Sequence, residues 1–443
     1  MRQLPLSNIS PYVAYAYAYP HKTAYRPLRP ARSLRQVWAE EKPDARYLYL
    51  HVPFCEMRCG FCNLFTTANP KQDIADAYID ALWREARRVR EAVGPAHYAR
   101  MAVGGGTPTY LQPSQLDALF RIAGELFGVE AARVPVSVET SPRTADAERL
   151  GVLRDHGVSR ISIGVQSLVE AEVNASGRAQ KNEWVESAIA RIRQYGFPTL
   201  NVDLIYGLAG QTVRSWLKSL ELALTWTPEE FYLYPLYIRP LTGLQRWGQQ
   251  TDDAIRVECY RAGRDLLLAH GYEQISMRMF SRTPAGADSR RADEPVYCCQ
   301  DDGMVGLGCG ARSYTRALHY SSDYAVGAAG VREIIADYIA KPAEAFDRIG
   351  YGCELNEPEQ KRRWVIKSLL RSEGLALADY QRRFNADARA DLPELIELEQ
   401  QGLVVAKAGR LVPTAAGLER SDAIGPWLFS PAMRARMDAY EPR

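Results

Sequence analysis

The chain has 443 residues, of which 47% are hydrophobic and 24% charged, and its formal net charge is +2. This composition is typical of a soluble globular protein, and the small charge excludes the basic footprint that binds nucleic acid or an anionic membrane. No apolar run reaches membrane-spanning length and the N-terminus has no secretory apolar core, so we expect a cytoplasmic protein with reduced thiols.

The N-terminal part of the chain, SPYVAYAYAYPHKTAYRPLRPAR, is rich in tyrosine. Its period-2 pattern of tyrosine and alanine predicts either an edge strand that packs on the main domain, or a lid that presents phenols and cations to a substrate. Prolines at positions 20, 27 and 30 would keep such a lid extended. We assign residues 1–45 to this segment, which carries Tyr12, Tyr15, Tyr17, Tyr19, Tyr25, His21, Lys22 and Arg26.

From Arg46 onward, β-branched or aromatic runs alternate with amphipathic helical patterns such as Ile74–Val93 and Gln211–Trp226. Repeated strand–helix units predict an α/β fold whose parallel sheet curls into a partial (β/α)6 barrel of the TIM type. In such a fold the active site lies at the carboxyl ends of the strands. The predicted strands are Arg46–Val52, Tyr98–Gly104, Val134–Glu139, Val158–Gly164, Thr199–Gly207 and Glu230–Tyr237.

Three cysteines follow the first predicted strand directly, in HVPFCEMRCGFCN. Cys55, Cys59 and Cys62 in this spacing can ligate three irons of a 4Fe–4S cluster and leave the fourth iron open to a cofactor. A structural zinc would need further ligands, and no second C-x-x-C knuckle follows. The eight cysteines of the chain are too few for a disulfide framework. We therefore predict a cluster whose open iron takes S-adenosylmethionine (SAM), the source of a 5′-deoxyadenosyl radical.

Glycines and polar residues follow the later predicted strands, at the same edge of the sheet. The run Gly104–Tyr110, GGGTPTY, would bring backbone N–H groups close to a ligand, although taken alone such a run more often marks a tight turn. Glu139 ends the third strand, where it would face either a cation or solvent. Gln166 follows the fourth strand and Arg178, with its bidentate fork, comes twelve residues later. Asp203 lies inside an apolar strand and requires a polar partner.

Together these segments resemble the radical SAM family of oxygen-independent coproporphyrinogen III oxidases and their HemN-like relatives. The N-terminal stretch YAYPHKTAYR is similar to the opening of a HemN-like subgroup of unassigned function. The family's blocks occur in order between residues 47 and 315, as YLYLHVPFCEMRCGFC, VGGGTPTYL, SVETSPR, RISIGVQS, NVDLIYGLAGQT and GLGCGARSY.

The resemblance implies a set of cofactors, partners and site residues. Cys55, Cys59 and Cys62 would hold the 4Fe–4S cluster, and one or two SAM molecules would bind beside it. The substrate would be a small molecule or a peptide, and an electron donor such as flavodoxin or ferredoxin would reduce the cluster. The positions that match the family's SAM contacts are Tyr49, Phe61, Gly105, Gly106, Thr107, Glu139, Gln166, Arg178, Asp203 and Tyr237.

Departures from the family pattern concern the substrate. Leu64 stands where coproporphyrinogen oxidases of this type carry another cysteine, and Cys309 and Arg312 replace an expected small residue and histidine. The H-N-x-x-Y-W string of heme chaperones does not occur. Four outcomes therefore stay open: oxidative decarboxylation of a porphyrinogen, methyl transfer from a second SAM, rearrangement of another metabolite or peptide, or heme binding without turnover.

The remaining chain divides by pattern. We expect residues 46–290 to form the radical SAM core and residues 291–355 a family-specific connection. Residues 356–443 read as helices followed by a hairpin with its turn near Lys407–Arg410, which predicts a winged-helix-like domain. Its third helical stretch, DLPELIELEQQG, is acidic and would repel phosphate, so we expect a lid or packing module and not a DNA-binding one.

Overall fold

The computed structural model describes residue 6, residues 9–282 and residues 299–442. The predicted boundary at residues 290 and 291 lies outside the described residues. The strands are β1 Arg26–Ser33, β2 Arg46–Val52, β3 Phe54–Cys55, β4 Thr67–Ala68, β5 Tyr98–Gly105, β6 Val136–Thr140, β7 Arg160–Gln166, β8 Thr199–Tyr206, β9 Glu230–Pro235, β10 Glu273–Gln274, β11 Met279–Ser281, β12 Met304–Leu307, β13 Arg312–Tyr314, β14 Leu318–Ser321, β15 Arg348–Glu354, β16 Leu375–Ala376, β17 Val404–Lys407 and β18 Arg410–Pro413.

Helices follow most of the central strands and cover their outer face. They are α1 Leu34–Trp38, α2 Gln72–Val93, α3 Pro113–Arg121, α4 Ala147–Asp155, α5 Glu170–Ala175, α6 Asn182–Gln194, α7 Val213–Leu224, α8 Gly243–Arg246, α9 Asp253–Ala269, α10 Cys299–Asp302, α11 Ala328–Ala340, α12 Glu357–Leu369, α13 Leu377–Phe384, α14 Ala388–Asp391, α15 Glu394–Gln400, α16 Ala415–Glu419, α17 Ser421–Trp427 and α18 Pro431–Asp438. Within the described ranges, none of these helices is both long enough and apolar enough to cross a membrane.

The main sheet has thirteen strands in the order β1-β15-β14-β13-β12-β2-β5-β6-β7-β8-β9-β11-β10. Strands β2, β5, β6, β7, β8 and β9 are parallel neighbours, and they are the six strands predicted from the sequence. Strand β12 extends this parallel part beyond β2, while antiparallel strands flank it on both sides. In the part of the chain that is described, no ladder joins β1 to β10, so the barrel is partial, as expected.

The side chains of the parallel strands alternate between an apolar outer face and a polar inner face. In β2, Leu48 and Leu50 are fully buried in the same hydrophobic cluster as Leu82 of α2. Each such side chain stabilises the fold by about 1.5–3 kcal/mol. Tyr47 and Tyr49 point to the other face and stay partly exposed, although they lie deep in the molecule. Partly exposed side chains at such depth line an internal cavity.

The tyrosine-rich stretch is extended, but it is not the edge strand that one prediction placed there. The alternation survives, because Ala16 and Ala18 are buried while Tyr15 and Tyr17 are partly exposed. The strand at the edge of the sheet is instead β1, which pairs with β15.

Long-range contacts replace the missing ladder of this stretch. The Gln300 side chain accepts a hydrogen bond from Tyr19 N at 3.0 Å and donates one to Tyr17 O at 3.0 Å. Ala14 N donates to the backbone oxygen of Asp422 at 3.0 Å. Groups from distant parts of the chain therefore satisfy backbone atoms that a strand would have paired.

The C-terminal part forms its own small unit. Helix α12 precedes β16, three further helices follow it, and the hairpin β17–β18 completes a three-stranded sheet of order β16-β18-β17, which is the predicted winged-helix-like arrangement. Its hydrophobic cluster also contains Ala16, Tyr19 and Tyr25, so the N-terminal segment packs between this unit and the barrel. Asp422 of α17 forms an ion pair with Arg278 in the barrel, and both side chains are almost completely buried.

Candidate active site

The loop that carries the three cysteines is closed at its base by a short parallel ribbon. Strands β3 and β4 pair there, with Phe54 opposite Thr67 and Cys55 opposite Ala68. Thr67 N donates to the backbone oxygen of Pro53 at 2.7 Å. Backbone hydrogen bonds thus fix the loop at the carboxyl end of β2 without help from any ligand.

Each cysteine of the loop has its own polar neighbour. Thr107 Oγ1 lies 3.7 Å from Cys55 Sγ, and Arg178 Nη1 lies 3.3 Å from Cys59 Sγ. Thr66 Oγ1 is 3.9 Å from Cys62 Sγ.

Burial raises the pKa of Cys55 to about 12, and it also raises the pKa of Cys62. Metal ligation would therefore have to displace protons from these thiols, as binding of iron by cysteine does. Among the described residues, no three His, Cys, Asp or Glu side chains converge on one metal position. That geometry is required of a single ion, whereas in a 4Fe–4S cluster each cysteine binds its own iron.

The glycine turn after β5 packs directly against the cysteine loop. A Cβ on Gly106 would lie 2.5 Å from the Phe54 oxygen and 2.9 Å from Cys55 Sγ. Gly105 has a φ of +115° and its N–H donates to Glu139 Oε2 at 3.1 Å. Only glycine fits this narrow space, so the backbone of the turn packs directly against the cysteine loop.

Two carboxylates border the cavity beside this turn. Glu139 lies deep in the protein, yet its side chain is exposed because it faces the cavity. Burial raises the pKa of Glu139 to about 7, and the nearby charge of Asp203 acts in the same direction, while the hydrogen bond from Gly105 and the charge of Arg160 oppose it. Burial likewise raises the pKa of Asp203 to about 6.

The surroundings of Asp203 contain an unsatisfied polar atom. Asp203 accepts hydrogen bonds from Asn201 Nδ2 at 2.7 Å and from Ser162 Oγ at 3.2 Å. Asn201 Oδ1 is buried and has no hydrogen-bond partner in the described part of the chain. Buried polar atoms are normally paired, so this end of β8 is prepared for a polar ligand.

Gln166 and Arg178 meet over the end of β7. Gln166 has a φ of +69°, and the pairing of β7 with β8 shifts register between Gly164 and Gln166. Arg178 donates to the backbone oxygen of Gly164 at 2.6 Å and to Gln180 Oε1 at 2.9 Å. The guanidinium is thus held by protein groups next to Cys59, and it is not the open fork for a carboxylate that the sequence suggested.

The aromatic candidates have different surroundings. Tyr49 Oη lies 3.2 Å from His51 Nδ1, and burial followed by the charge of Glu139 raises the pKa of Tyr49. Phe61 packs on the apolar cluster that includes Leu236. Tyr237 donates a hydrogen bond to Asp422 of the C-terminal unit.

Some cavity residues were missed by sequence reasoning. His51 was detectable, because it alternates with Tyr49 on the inner face of β2. Asp422 and Arg278 were not detectable, since they reach the cavity only through packing of the C-terminal unit.

Comparison with known proteins places this site in a family. Residues 49–223 match the model of the Radical SAM superfamily, and residues 355–419 match that of the HemN C-terminal domain. The chain is 30% identical over 274 residues to the heme chaperone HemW of Bacillus subtilis, covering 60% of this chain and 70% of that protein. The chain belongs to the radical SAM superfamily, in its HemN-like family.

Other relatives of this HemN-like chain cover more of it. It is 27% identical over 385 residues to the oxygen-independent coproporphyrinogen III oxidase of Escherichia coli, covering 84% of this chain and 82% of the relative. The solved structure of coproporphyrinogen III oxidase (HemN) from Escherichia coli, a radical SAM enzyme, matches with a TM-score of 0.78 at 24% identity. That match covers 96% of this chain and 98% of the other, and it confirms the α/β fold class with its C-terminal helical domain.

The two family models span particular parts of this HemN-like fold. The radical SAM match begins in β2 and ends in α7, so it includes the cysteine loop, the glycine turn, Glu139 and Asp203. The HemN C-terminal match runs from the end of β15, through the three-stranded sheet, to the last residue of α16. The N-terminal segment and strands β9 to β14 lie outside both matches.

Proposed function

We propose that this chain is a radical SAM enzyme that abstracts hydrogen from an organic substrate. Cys55, Cys59 and Cys62 would hold a 4Fe–4S cluster, and SAM would bind beside it. The observation that carries the proposal is the contact of the cysteine loop with the glycine turn, where Cys55 Sγ lies where a Gly106 side chain would be. Two sequence motifs that are far apart in the chain thus form one site, at the edge of the sheet where barrel enzymes have theirs.

The residues of the site have separable tasks. When bound, the cluster and SAM would supply a 5′-deoxyadenosyl radical after one-electron reduction by a donor such as flavodoxin or ferredoxin. Without side chains at Gly105 and Gly106, the cofactor could lie directly against the backbone of the glycine turn, and Glu139 and Asp203 would meet its cationic and hydroxyl groups. The direct SAM contacts we propose are Tyr49, Phe61, Gly105, Gly106, Thr107, Glu139, Gln166 and Asp203. Arg178 and Tyr237 would act indirectly, because Arg178 holds the cysteine loop and Tyr237 holds the rim of the cavity.

Packing around the cavity limits the access of water. The N-terminal segment crosses between the barrel and the C-terminal unit, and Asp422 fastens it through the backbone contact with Ala14. The ring of Tyr15 lies against the Arg278 guanidinium, whose carbon is 3.7 Å from the ring centroid. Exclusion of water protects a reactive intermediate from side reactions.

For the substrate we propose a class of compound and not a particular molecule. A small organic molecule or a peptide would be oxidised in a manner similar to the oxygen-independent coproporphyrinogen III oxidases. Methyl transfer that uses a second SAM is the alternative within the enzyme class. Similarity to the heme chaperone HemW supports a binding function without turnover as the other candidate.

The decisive experiment is anaerobic cluster reconstitution, followed by an assay for 5′-deoxyadenosine with SAM and a reductant. We expect the wild-type chain to load a 4Fe–4S cluster and to form the nucleoside, and Cys59→Ala to do neither. Cys259→Ala is the matched control, because it removes a buried thiol that lies outside the loop.

Two results would contradict parts of this proposal. A Cys59→Ala protein with a full 4Fe–4S cluster would refute the ligand assignment. A cluster-loaded wild-type protein that forms no 5′-deoxyadenosine, yet gives an axial-ligand spectrum on titration with heme, would establish the chaperone function instead.

A further inference from the structure

Basic side chains from three distant parts of the chain meet beside the cysteine loop. Lys22 belongs to the N-terminal segment, Arg239 follows β9, and Arg312 begins β13. Arg312 donates to Tyr17, whose ring packs against His21, the neighbour of Lys22 in the chain. The charges of both arginines lower the pKa of Lys22, after the larger effect of burial. We call Lys22, Arg239 and Arg312 the cationic wall.

Direct contacts tie the cationic wall to the cysteine loop and to the tyrosines. Lys22 Nζ lies 3.4 Å from the centre of the Tyr324 ring. Tyr324 Oη in turn donates to the backbone oxygen of Asn63, the residue after Cys62, at 2.8 Å. Arg312 Nη1 donates to Tyr17 Oη at 2.6 Å. Tyr324 and Tyr17 therefore hold Lys22 and Arg312 beside the cysteine loop, at the rim of the proposed cluster site.

In the ranges that the structure describes, the positive charges of the wall have no counter-ion. No carboxylate there forms an ion pair with Lys22, Arg239 or Arg312, whereas Arg160, Arg278 and Arg363 each have one. Each of the three keeps part of its surface accessible to the cavity. Like charges held together away from bulk water are unfavourable unless an anion joins them.

We propose that the cationic wall binds an oxyanion group of the substrate, a carboxylate or a phosphate, and so orients the substrate towards the cluster and SAM. This inference rests on the proposed function, because it names the substrate chemistry of the same cavity. Arginine and lysine are the side chains best suited to such groups. His21, which packs edge-on against Tyr17 with ring centres 5.4 Å apart, borders the same place and adds a hydrogen-bonding ring.

The charge of the wall favours the substrate over SAM. Of the residues that match the family's SAM contacts, the carboxylates Glu139 and Asp203 lie on β6 and β8, while Tyr237 touches the wall, with the Arg239 guanidinium carbon 4.4 Å from its ring centre. Those carboxylates would attract the positive groups of SAM, whereas the wall would repel them. Opposite charges at the two sides of one cavity separate the cofactor from an anionic substrate.

The test uses the full chain after anaerobic cluster reconstitution and two probes, inorganic phosphate and citrate. Calorimetric titration at low salt measures the affinity of each probe for wild type, Lys22→Met and Arg312→Gln. Lys181→Met is the matched control, because its Nζ also lies over an aromatic ring, 5.7 Å from the centre of Trp184, but at the surface. SAM affinity and cluster absorbance are measured in the same samples.

We expect wild type to bind at least one probe and both wall variants to bind it about tenfold more weakly, the loss of one charge-assisted hydrogen bond. SAM affinity, cluster content and the Lys181→Met control should stay at wild-type values. Binding of citrate alone indicates a carboxylate substrate, and binding of phosphate indicates a phosphate ester. Should Arg312→Gln fail to fold, Arg239→Gln takes its place.

Three results would overturn the inference: no binding of either probe by wild type, equal binding by wild type and the wall variants, or an equal loss of SAM affinity. The last would show that the wall serves SAM. Failure of the proposed function looks different, because then the wild-type chain lacks a cluster or forms no 5′-deoxyadenosine, whatever its affinity for oxyanions.

Discussion

The two sides of the cavity are built in different ways. The side with Glu139 and Asp203 stands on the parallel strands β6 and β8, which β7 joins within one sheet. The cationic wall takes Lys22, Arg239 and Arg312 from an irregular segment, a loop and an antiparallel strand. Its members meet only through the packing of distant parts of the chain.

The same two sides differ in whether they lie within the spans that match the family models. The residues of the strand side lie within the span that matches the Radical SAM superfamily. All three residues of the cationic wall lie outside both family matches. On the function proposed above, the family's fold would supply the place for radical generation, and the parts outside the matched spans would distinguish one substrate from another.

The largest expected effect comes from a change that disrupts only the side of the cavity formed by the parallel strands. In Gly106→Ala the new Cβ would collide with the Phe54 oxygen and with Cys55 Sγ, so the glycine turn and the cysteine loop must separate. We expect nearly complete loss of the 4Fe–4S absorbance after reconstitution, with oxyanion binding retained. In the control Gly350→Ala nothing lies within 4 Å of the added Cβ, and cluster content should match wild type. A fully loaded Gly106→Ala protein would refute this account of the site.

A second change weakens the contact between the C-terminal unit and the barrel, against which the N-terminal segment packs. Asp422→Ala leaves the Arg278 charge buried without its partner and removes the hydrogen bond from Tyr237. We expect the free energy of unfolding in urea to fall by about 3 kcal/mol, as for other broken buried ion pairs. The control Glu125→Ala removes an exposed pair with Arg121 and should cost less than about 1 kcal/mol. Equal costs for the two variants would show that Asp422 does not fasten the C-terminal unit.

A third change sharpens the charge contrast between the two sides. Glu139→Gln keeps an oxygen for the Gly105 N–H but removes the negative charge that would face SAM. We expect the dissociation constant of SAM, measured with cluster-loaded protein, to rise about tenfold. Oxyanion affinity should not fall. An unchanged SAM affinity would remove Glu139 from the proposed contacts.

The smallest effect concerns pH. The folded chain holds the Glu139 proton up to a pKa of about 7, against 4.5 for an ordinary glutamate. Between these values the folded state binds more protons than the unfolded chain, so the free energy of unfolding falls as pH rises. Asp203, with its pKa near 6, adds to this trend, and the Arg160 charge opposes it. In urea titrations of cluster-free protein, wild type should therefore lose stability relative to Glu139→Gln between pH 5 and pH 7.5; a constant difference would contradict the raised pKa.

The sequence was most informative where local pattern and topology agree. Runs of apolar and β-branched residues identified all six parallel strands, and the positions of Glu139 and Asp203 at the inner face followed from them. The prediction of an edge strand in the tyrosine-rich stretch was wrong, because its alternation reflects one buried and one partly exposed side. Its backbone forms hydrogen bonds with Gln300 and Asp422 and not with a neighbouring strand. No local signal reports partners so far away along the chain.

The sequence also did not predict which groups each functional side chain would contact. A free guanidinium fork was expected at Arg178, but Gly164, Gln180 and Cys59 take its donors. The convergence of Lys22 with Arg312 depends on how the N-terminal segment crosses the barrel, which composition and spacing do not encode.

The ribbon of β3 and β4 bears on how the chain would behave if the proposed cluster were lost to oxygen. Backbone hydrogen bonds around Phe54 and Thr67 close the cysteine loop between protein groups alone. We therefore expect a chain that has lost its iron to keep the loop in place and to accept a new cluster from iron and sulfide, without refolding.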